Sequence, residues 1–114
     1  MDAVRSLARK YLEAAGYQVM EASHGAEALT LSTRYPGPIH LLLTDVVMPQ
    51  MSGPELVDNL VRTRPETKVL YMTGYTDDVL FQQEGSNRRG PLLHKPVSPA
   101  TLIRTVHELL DTPR

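Results

Sequence analysis

Residues 39–45 read Ile-His-Leu-Leu-Leu-Thr-Asp, a nearly continuous apolar run that ends on a carboxylate. Such a run is typical of a strand that is buried on both faces of a parallel sheet. Two shorter apolar runs follow at residues 68–72 and 91–94, and polar residues come directly after them at Thr73-Gly74 and Lys95-Pro96. The sequence therefore predicts three strands, each with a polar or charged side chain at its carboxyl end.

The amino-terminal third alternates between helical and strand-like patterns. Apolar residues recur at helical spacing over residues 4–15, and Gly16 supplies a left-handed stop just beyond them. Residues 17–22 predict a short strand. Residues 25–35 predict a second helix, which the segment Pro36-Gly37-Pro38 ends.

The carboxyl-terminal half continues this alternation. Pro54 suits the first position of a third helix, and residues 77–84 predict a shorter helix before a polar turn at residues 85–90. Ser98-Pro99 predict the cap and first turn of a closing helix. Together these patterns predict one α/β domain over residues 1–114, a doubly wound parallel sheet with helices on both faces. Ligands of such sheets bind at the carboxyl ends of the strands.

Composition excludes several classes of function. The chain has 114 residues and a net charge of −1 with both signs dispersed, so it lacks the basic footprint of a nucleic-acid-binding protein. It contains no cysteine, which excludes disulfides, thiol catalysis and thiolate metal sites. Its apolar runs are far shorter than a bilayer span, and the start lacks the apolar region of a secretory signal. We therefore expect a soluble, cytoplasmic domain.

Asp45, Thr73 and Lys95 form the candidate catalytic set. Phosphoryl transfer requires an oxygen nucleophile and positive charge on the equatorial oxygens. Asp45 is suited to be that nucleophile, and Lys95 offers a mobile cation with three donors. Thr73 offers a hydroxyl that can turn towards a phosphate oxygen. Pro96 fixes the backbone after the lysine. The peptide bond between Lys95 and Pro96 is of the X–Pro type, at which a cis form costs far less than at other bonds.

Four motifs carry a resemblance to a known family: Asp45-Val46-Val47-Met48-Pro49, Met51-Ser52-Gly53, Met72-Thr73-Gly74-Tyr75 and His94-Lys95-Pro96. In order and spacing they resemble the receiver domain of bacterial two-component response regulators, over roughly residues 3–112. They are especially similar to receivers attached to hybrid sensor histidine kinases. Each motif alone is weakly specific, whereas four in series on the right elements are strongly so.

The resemblance implies a flavodoxin-like sheet of five strands in the order 2-1-3-4-5. It implies that Asp45 takes a phosphoryl group from a histidine kinase or phosphotransfer protein, and that Thr73 and Lys95 relay this event to neighbouring elements. It also implies dependence on Mg²⁺, with Asp45 and the backbone carbonyl of Val47 as metal ligands. The resemblance leaves open whether the domain forms a homodimer.

The sequence departs from the family pattern at its start. Receivers open with a strand that ends in two adjacent acidic residues, and the first helix follows directly. Here that helix begins at about Asp2, which matches a position beyond the acidic pair. We therefore expect weak Mg²⁺ binding and slow phosphorylation. We also expect the gap between residues 17–22 and 39–44 to be filled by closing-up of the sheet, by pairing between chains or, the reading we favour, by residues of a longer parent protein.

A second departure is Leu92, where many receivers carry an aromatic residue that moves inward after phosphorylation. Coupling to an output surface is therefore in question. Two other functions stay open beside the phospho-accepting receiver. One is an interaction module that uses the scaffold without phosphorylation. The other is an aspartate-nucleophile phosphohydrolase, which would need a second aspartate where this chain has Val47. The four histidines show no metal-ligand spacing.

Overall fold

The computed structural model describes residues 2–46, 48, 50–74 and 90–111, with side chains from residue 5 onward. These residues contain four helices and three strands. In chain order they are α1 (Asp2–Ala14), α2 (Gly25–Arg34), β1 (Leu41–Asp45), α3 (Gly53–Val61), β2 (Lys68–Thr73), β3 (Leu92–His94) and α4 (Pro99–Asp111). The predicted helix at 77–84 and most of the turn at 85–90 lie outside the described residues. None of the described helices is long and apolar enough to span a membrane.

The three described strands form one parallel sheet in the order β1-β2-β3. Leu41 lies opposite Lys68 and Asp45 opposite Met72, whereas Thr73 lies opposite His94. Because the strands are parallel and nearly in register at this end, their carboxyl ends meet at one edge. The sequence prediction of this arrangement is confirmed.

Helices cover both faces of the sheet, as the predicted fold requires. On one face α1 contacts α4, and on the other α2 contacts α3. Side chains of β2 alternate between the two faces, with Leu70 in the cluster of α1 and α4 and Val69 and Tyr71 in the cluster that contains Val57. All three are almost completely buried. The core therefore consists of two apolar layers, one on each side of β2.

Local sequence sets the helix ends. Gly16 has φ +100°, in the left-handed region, which confirms the predicted stop after α1. Ser52 and Glu55 form a capping box at the start of α3, in which each side chain accepts a hydrogen bond from the other residue's backbone N–H. Ser98 accepts a hydrogen bond from the N–H of Thr101, as predicted for the cap of α4.

The sequence analysis missed the cap of α2. His24 Nδ1 accepts a hydrogen bond of 3.2 Å from the backbone N–H of Glu27. The carboxylate of Glu27 accepts hydrogen bonds in turn from the backbone and hydroxyl of Ser23. These bonds lower the pKa of Glu27 below its ordinary value, because they favour the charged form. His24 therefore serves as the cap of α2.

Residues 17–22 do not form the predicted strand. Their burial alternates as in a strand, and Tyr17 and Val19 pack against the core. Yet none of the described strands pairs with them, because a cleft separates them from β1. Glu21 forms ion pairs with Arg5 and Arg9, and these hold the segment against α1 instead. The apolar pattern was right, but a strand also needs a partner for its backbone groups.

The burial predicted for residues 39–45 was also too high. Leu41, Leu42 and Leu43 are only partly buried, whereas five of the six residues of β2 are buried. The difference follows from position, since β1 is an edge strand among those described and β2 is central.

Arg64 ties the end of α3 to the segment after α2. Its guanidinium donates hydrogen bonds to the hydroxyl and carbonyl of Ser32, both at 2.7 Å, and to the carbonyls of Tyr35 and Gly37 at 2.8 and 2.9 Å. The planar fork of arginine can serve several acceptors at once.

Replacing Arg64 with alanine should lower the free energy of unfolding by about 1–3 kcal/mol, because hydrogen bonds from a charged group contribute more than neutral ones. Chemical denaturation measures this change. The matched control is Arg62→Ala, two residues earlier with an exposed side chain, which should change stability by less than about 0.5 kcal/mol. Equal effects of the two substitutions would contradict a clamp at Arg64.

Candidate phosphoacceptor site

Asp45 is the last residue of β1 and stands at the carboxyl edge of the sheet. The chain after it is fixed by backbone hydrogen bonds, because Val46 donates to the carbonyl of Met72 at 3.0 Å and Gly53 donates to the carbonyl of Val46 at 2.8 Å. The side chain of Asp45 is 22% exposed. A carboxylate so placed is held by rigid backbone yet remains open to solvent.

Lys95 reaches Asp45 across the central strand. Its Nζ lies 2.9 Å from Asp45 Oδ1, although β1 and β3 are not neighbours in the sheet. The backbone of Lys95 is itself fixed, since its N–H donates to the carbonyl of Thr73 at 2.8 Å. The bond from Lys95 to Pro96 is cis. The ammonium and the carboxylate therefore share one small site, as the sequence predicted.

The contact between Lys95 and Asp45 is an ion pair without hydrogen-bond geometry. Among the described residues, Asp45 Oδ1 is buried and receives no hydrogen bond. The ammonium therefore supplies positive charge at close range to Oδ1, on the buried side of a carboxylate that is 22% exposed as a whole.

Thr73 is the last residue of β2 and is completely buried. Its hydroxyl donates a hydrogen bond of 3.0 Å to the carbonyl of Gly74, the next residue. Thr73 thus stands between Asp45 and Lys95 in the sheet order, with its hydroxyl engaged locally. Rotation about a single side-chain torsion would release this hydroxyl for another acceptor.

Gly53 permits the close return of the chain towards Asp45, a role that the sequence analysis did not identify. A Cβ at this position would lie 2.2 Å from the carbonyl oxygen of Asp45, far inside contact distance. The clash is with backbone, so no side-chain rotation could relieve it. The only sequence clue was the glycine just before Pro54 in the Met51-Ser52-Gly53 motif.

The described residues provide a poor donor set for Mg²⁺. Val47, whose carbonyl is the second predicted ligand, lies outside the described residues. In the part of the chain that is described, no group of three or more His, Cys, Asp or Glu side chains could hold a metal ion. Asp45 is then a lone carboxylate already beside an ammonium, whereas Mg²⁺ prefers an octahedral shell of oxygens.

Comparison with known proteins now identifies the family. A model of the response regulator receiver domain matches residues 1–107. The chain belongs to this family. The chain is 36% identical over 110 residues to the sensor kinase CckA of Brucella abortus, a match that covers 96% of the chain and 12% of CckA. It is 34% identical over 101 residues to the response regulator receiver protein CpdR of the same organism, covering 89% of the chain and 82% of CpdR.

A solved structure supports the same assignment. The crystal structure of the receiver domain from the hybrid histidine kinase CckA superposes with a TM-score of 0.81 at 33% identity. The match covers 96% of this chain and 92% of that one. The predicted flavodoxin-like α/β fold and the predicted resemblance to receivers of hybrid kinases are thereby confirmed. The chain spans only 12% of the length of the kinase CckA from Brucella abortus.

Proposed function

We propose that Asp45 accepts a phosphoryl group from the phosphohistidine of a histidine kinase or phosphotransfer protein. The observation that carries this proposal is the ammonium of Lys95 at 2.9 Å from Asp45 Oδ1, at the carboxyl edge of a parallel sheet. A carboxylate beside a mobile cation is the minimum that an acyl phosphate needs. Membership of the receiver family supports the same chemistry.

In the proposed reaction a carboxylate oxygen of Asp45 attacks phosphorus while the bond from phosphorus to the donor's imidazole nitrogen breaks. The donor histidine keeps the electron pair of that bond, and Asp45 becomes an acyl phosphate. The phosphoryl group of the product carries about −1.5 to −2 charge at neutral pH, in place of the single negative charge of the carboxylate. Lys95 offsets part of this charge and can move with the phosphoryl oxygens, because its ammonium sits on a flexible stem.

Thr73 is proposed to respond after the transfer. Its hydroxyl would leave the carbonyl of Gly74 and donate to a phosphoryl oxygen instead. Because the residue is completely buried, this change would alter packing around the carboxyl end of β2. Leu92 lies on β3 opposite Tyr71 of β2. It would have to repack in response, and it has no aromatic ring to move. The relay from Asp45 through Thr73 and Lys95 is part of the proposal.

Mg²⁺ is proposed to bind weakly, through Asp45 and the carbonyl of Val47. A single carboxylate with waters and a substrate phosphate can serve magnesium, but at low affinity. We also propose that the domain acts in the cytoplasm, either attached to a hybrid kinase or as a separate receiver. The relatives include both a sensor kinase and a receiver protein of similar length.

Intact mass spectrometry tests the proposed phosphoryl transfer. The chain is incubated with a phosphorylated histidine kinase domain or with acetyl phosphate, and one phosphoryl group should appear, on the peptide that contains Asp45. A competent receiver treated in parallel shows that the donor is active. The proposal would be contradicted if this chain took up no phosphoryl group at Mg²⁺ concentrations at which the control receiver does.

Replacing Lys95 with alanine should slow phosphoryl uptake by roughly tenfold to a hundredfold, because a preorganised positive group at the developing charge is removed. Its effect on folding should be small, about 0–1 kcal/mol, since the pair is partly solvated. The matched control is Lys10→Ala, an exposed lysine on α1. Rates come from the time course of phosphorylation. An unchanged rate for Lys95→Ala would exclude the lysine from the reaction.

A second function, as an interaction module without phosphorylation, is favoured by the sparse metal ligands around Asp45. It predicts that a binding partner, once isolated, has the same affinity for the wild-type chain and for Asp45→Ala. Loss of binding in that variant would count against this second function.

A further inference from the structure

The cap of α2 is a histidine, and protonation removes the acceptor on which this cap depends. The backbone N–H of Glu27 donates a hydrogen bond of 3.2 Å to His24 Nδ1. Only a neutral imidazole that carries its proton on Nε2 can accept this bond, because the protonated ring has an N–H on both nitrogens. The commoner caps, asparagine and serine, keep their acceptor oxygen at every pH near neutrality.

The charge that protonation creates has an attractive partner in Glu27. The carboxylate of Glu27 accepts hydrogen bonds from the backbone and hydroxyl of Ser23. These bonds are the main cause that lowers the pKa of Glu27, and positive charge at His24 and Arg5 lowers it further. Protonation of His24 therefore removes a bond to the backbone of the first turn and strengthens an attraction to a side chain. The loss falls on the turn itself.

The other charged side chains around this cap keep their charge between pH 8 and pH 5.5. Those that line the same cleft as His24 in the described part of the chain are Arg5, Arg9, Glu21 and Asp45, together with the second histidine, His40. Arginine and carboxylate side chains ordinarily titrate well outside this interval, whereas histidine titrates within it. His40 directly precedes β1, at the opposite end of that strand from Asp45.

Gly25, the residue after His24, is buried against the side chain of Met51. A Cβ at position 25 would lie 2.7 Å from the sulfur of Met51 and 3.2 Å from its Cβ, so the methionine rests on the backbone of the first turn of α2. The helices α2 and α3 also contact each other directly. A change in the first turn of α2 therefore acts on Met51.

Met51 belongs to the segment 50–53, which returns the chain to the phosphoacceptor. Gln50 has φ 71°, in the left-handed region that a residue other than glycine adopts only when its surroundings impose it. Ser52 is the cap of α3, and the backbone of Gly53 packs on the carbonyl of Asp45. The position of Met51 is thus tied to that of Asp45 through two successive residues.

We propose that the cap at His24 makes the segment 50–53 sensitive to pH. The neutral imidazole closes the first turn of α2 and holds Met51 in place, and protonation opens the turn and loosens Met51. The capped state is present at pH 8 and is lost as the pH falls through the range in which histidines titrate. A second consequence, which rests on the proposed function, is that phosphoryl uptake by Asp45 slows in acid.

Nuclear magnetic resonance tests the cap and its link to Met51. The chain is labelled with ring-¹⁵N histidine and methyl-¹³C methionine, and the signals are assigned with His24→Asn and Met51→Leu. At pH 8 the ring nitrogens of His24 should show the proton on Nε2. From pH 8 to pH 5.5 the methyl signal of Met51 should shift with the same midpoint as the His24 ring. A proton on Nδ1 at pH 8, or a Met51 signal that does not follow the ring, would overturn the proposal.

His24→Asn also provides the decisive comparison, because asparagine caps a helix well and does not titrate. In this variant the Met51 signal should stay constant from pH 8 to pH 5.5. The matched control is His107→Asn, an exposed position on α4, in which Met51 should titrate as in the wild type. If Met51 still titrated in His24→Asn, another group would be responsible and the proposal would be wrong.

The consequence for phosphorylation is measured separately, as the initial rate of uptake in the wild type divided by that in His24→Asn. This ratio cancels the pH dependence of the phosphoryl donor, and it should fall at least threefold from pH 8 to pH 5.5. A constant ratio beside a titrating Met51 would overturn the step from the segment 50–53 to Asp45. If neither protein took up phosphate while a control receiver did, the proposed function would fail, whereas the titration of Met51 decides the pH-dependent cap without any phosphorylation.

Discussion

Replacing Asp45 with asparagine should reduce phosphoryl uptake to the background of the assay, a loss of at least about a hundredfold. The amide has nearly the shape of the carboxylate but lacks the anionic oxygen that attacks phosphorus. Folding should survive, because the lost attraction to Lys95 in this partly solvated pair contributes only about 0–1 kcal/mol. Intact mass after incubation with a phosphorylated kinase domain measures the uptake, and a thermal melt verifies folding.

The matched control for this substitution is Asp58→Asn, an exposed aspartate on α3. It should leave the extent of phosphorylation unchanged. If Asp45→Asn and the wild type were labelled equally, the phosphoryl group would reside on another residue, and the assignment of Asp45 would be wrong. If both were unlabelled while a control receiver was labelled, the chain would not be a phosphoacceptor under those conditions.

Replacing Gly53 with alanine should destabilise the domain by at least about 2 kcal/mol, at the upper part of the range for overpacking. A glycine-to-alanine change within a helix is ordinarily favourable by roughly 0.5–1 kcal/mol. Here the new Cβ would lie 2.2 Å from the carbonyl oxygen of Asp45, and the clash outweighs that gain. The melting temperature should fall by roughly 8 °C or more. Phosphorylation should also slow, because relief of the clash displaces Asp45.

Gly25→Ala provides the matched control, since Gly25 is likewise buried and likewise the first residue of its helix. Its added Cβ would meet the side chain of Met51, with the sulfur at 2.7 Å. Rotation of the methionine removes the sulfur contact and leaves Met51 Cβ at 3.2 Å, which a shift of a few tenths of an ångström relieves, whereas the backbone of Asp45 cannot move far enough to relieve a contact of 2.2 Å. The control should therefore change stability by less than about 1 kcal/mol. Equal losses for the two substitutions would show that the backbone contact at Gly53 is not the cause.

Much of the fold could be predicted from the sequence because its determinants are local. Helical periodicity, the left-handed Gly16 and the cap at Ser98 each act within a few residues, and the structure confirms all three. The parallel sheet followed from the alternation of helices and strands. Its carboxyl edge followed in turn, and Lys95 lies beside Asp45 at that edge.

Other features depend on contacts between residues distant in sequence. The role of Arg64 depends on hydrogen-bond acceptors at Ser32, Tyr35 and Gly37. No local sequence pattern predicts that these acceptors lie around the guanidinium. The need for glycine at position 53 arises only because the chain returns to the carbonyl of Asp45. Both are properties of packing, which one sequence without its coordinates does not show.

The sequence by itself determined the doubly wound architecture, and it predicted Asp45, Thr73 and Lys95 as the candidate site, because periodicity and strand ends are local features of the chain. Only the tertiary structure decided that none of the described strands pairs with residues 17–22 and that, among those strands, β1 pairs with β2 alone. The physical reason is that a strand exists through its hydrogen-bonding partner. An alternating apolar pattern predicts that a segment can form a strand. Whether another strand lies close enough to pair with it depends on the tertiary structure.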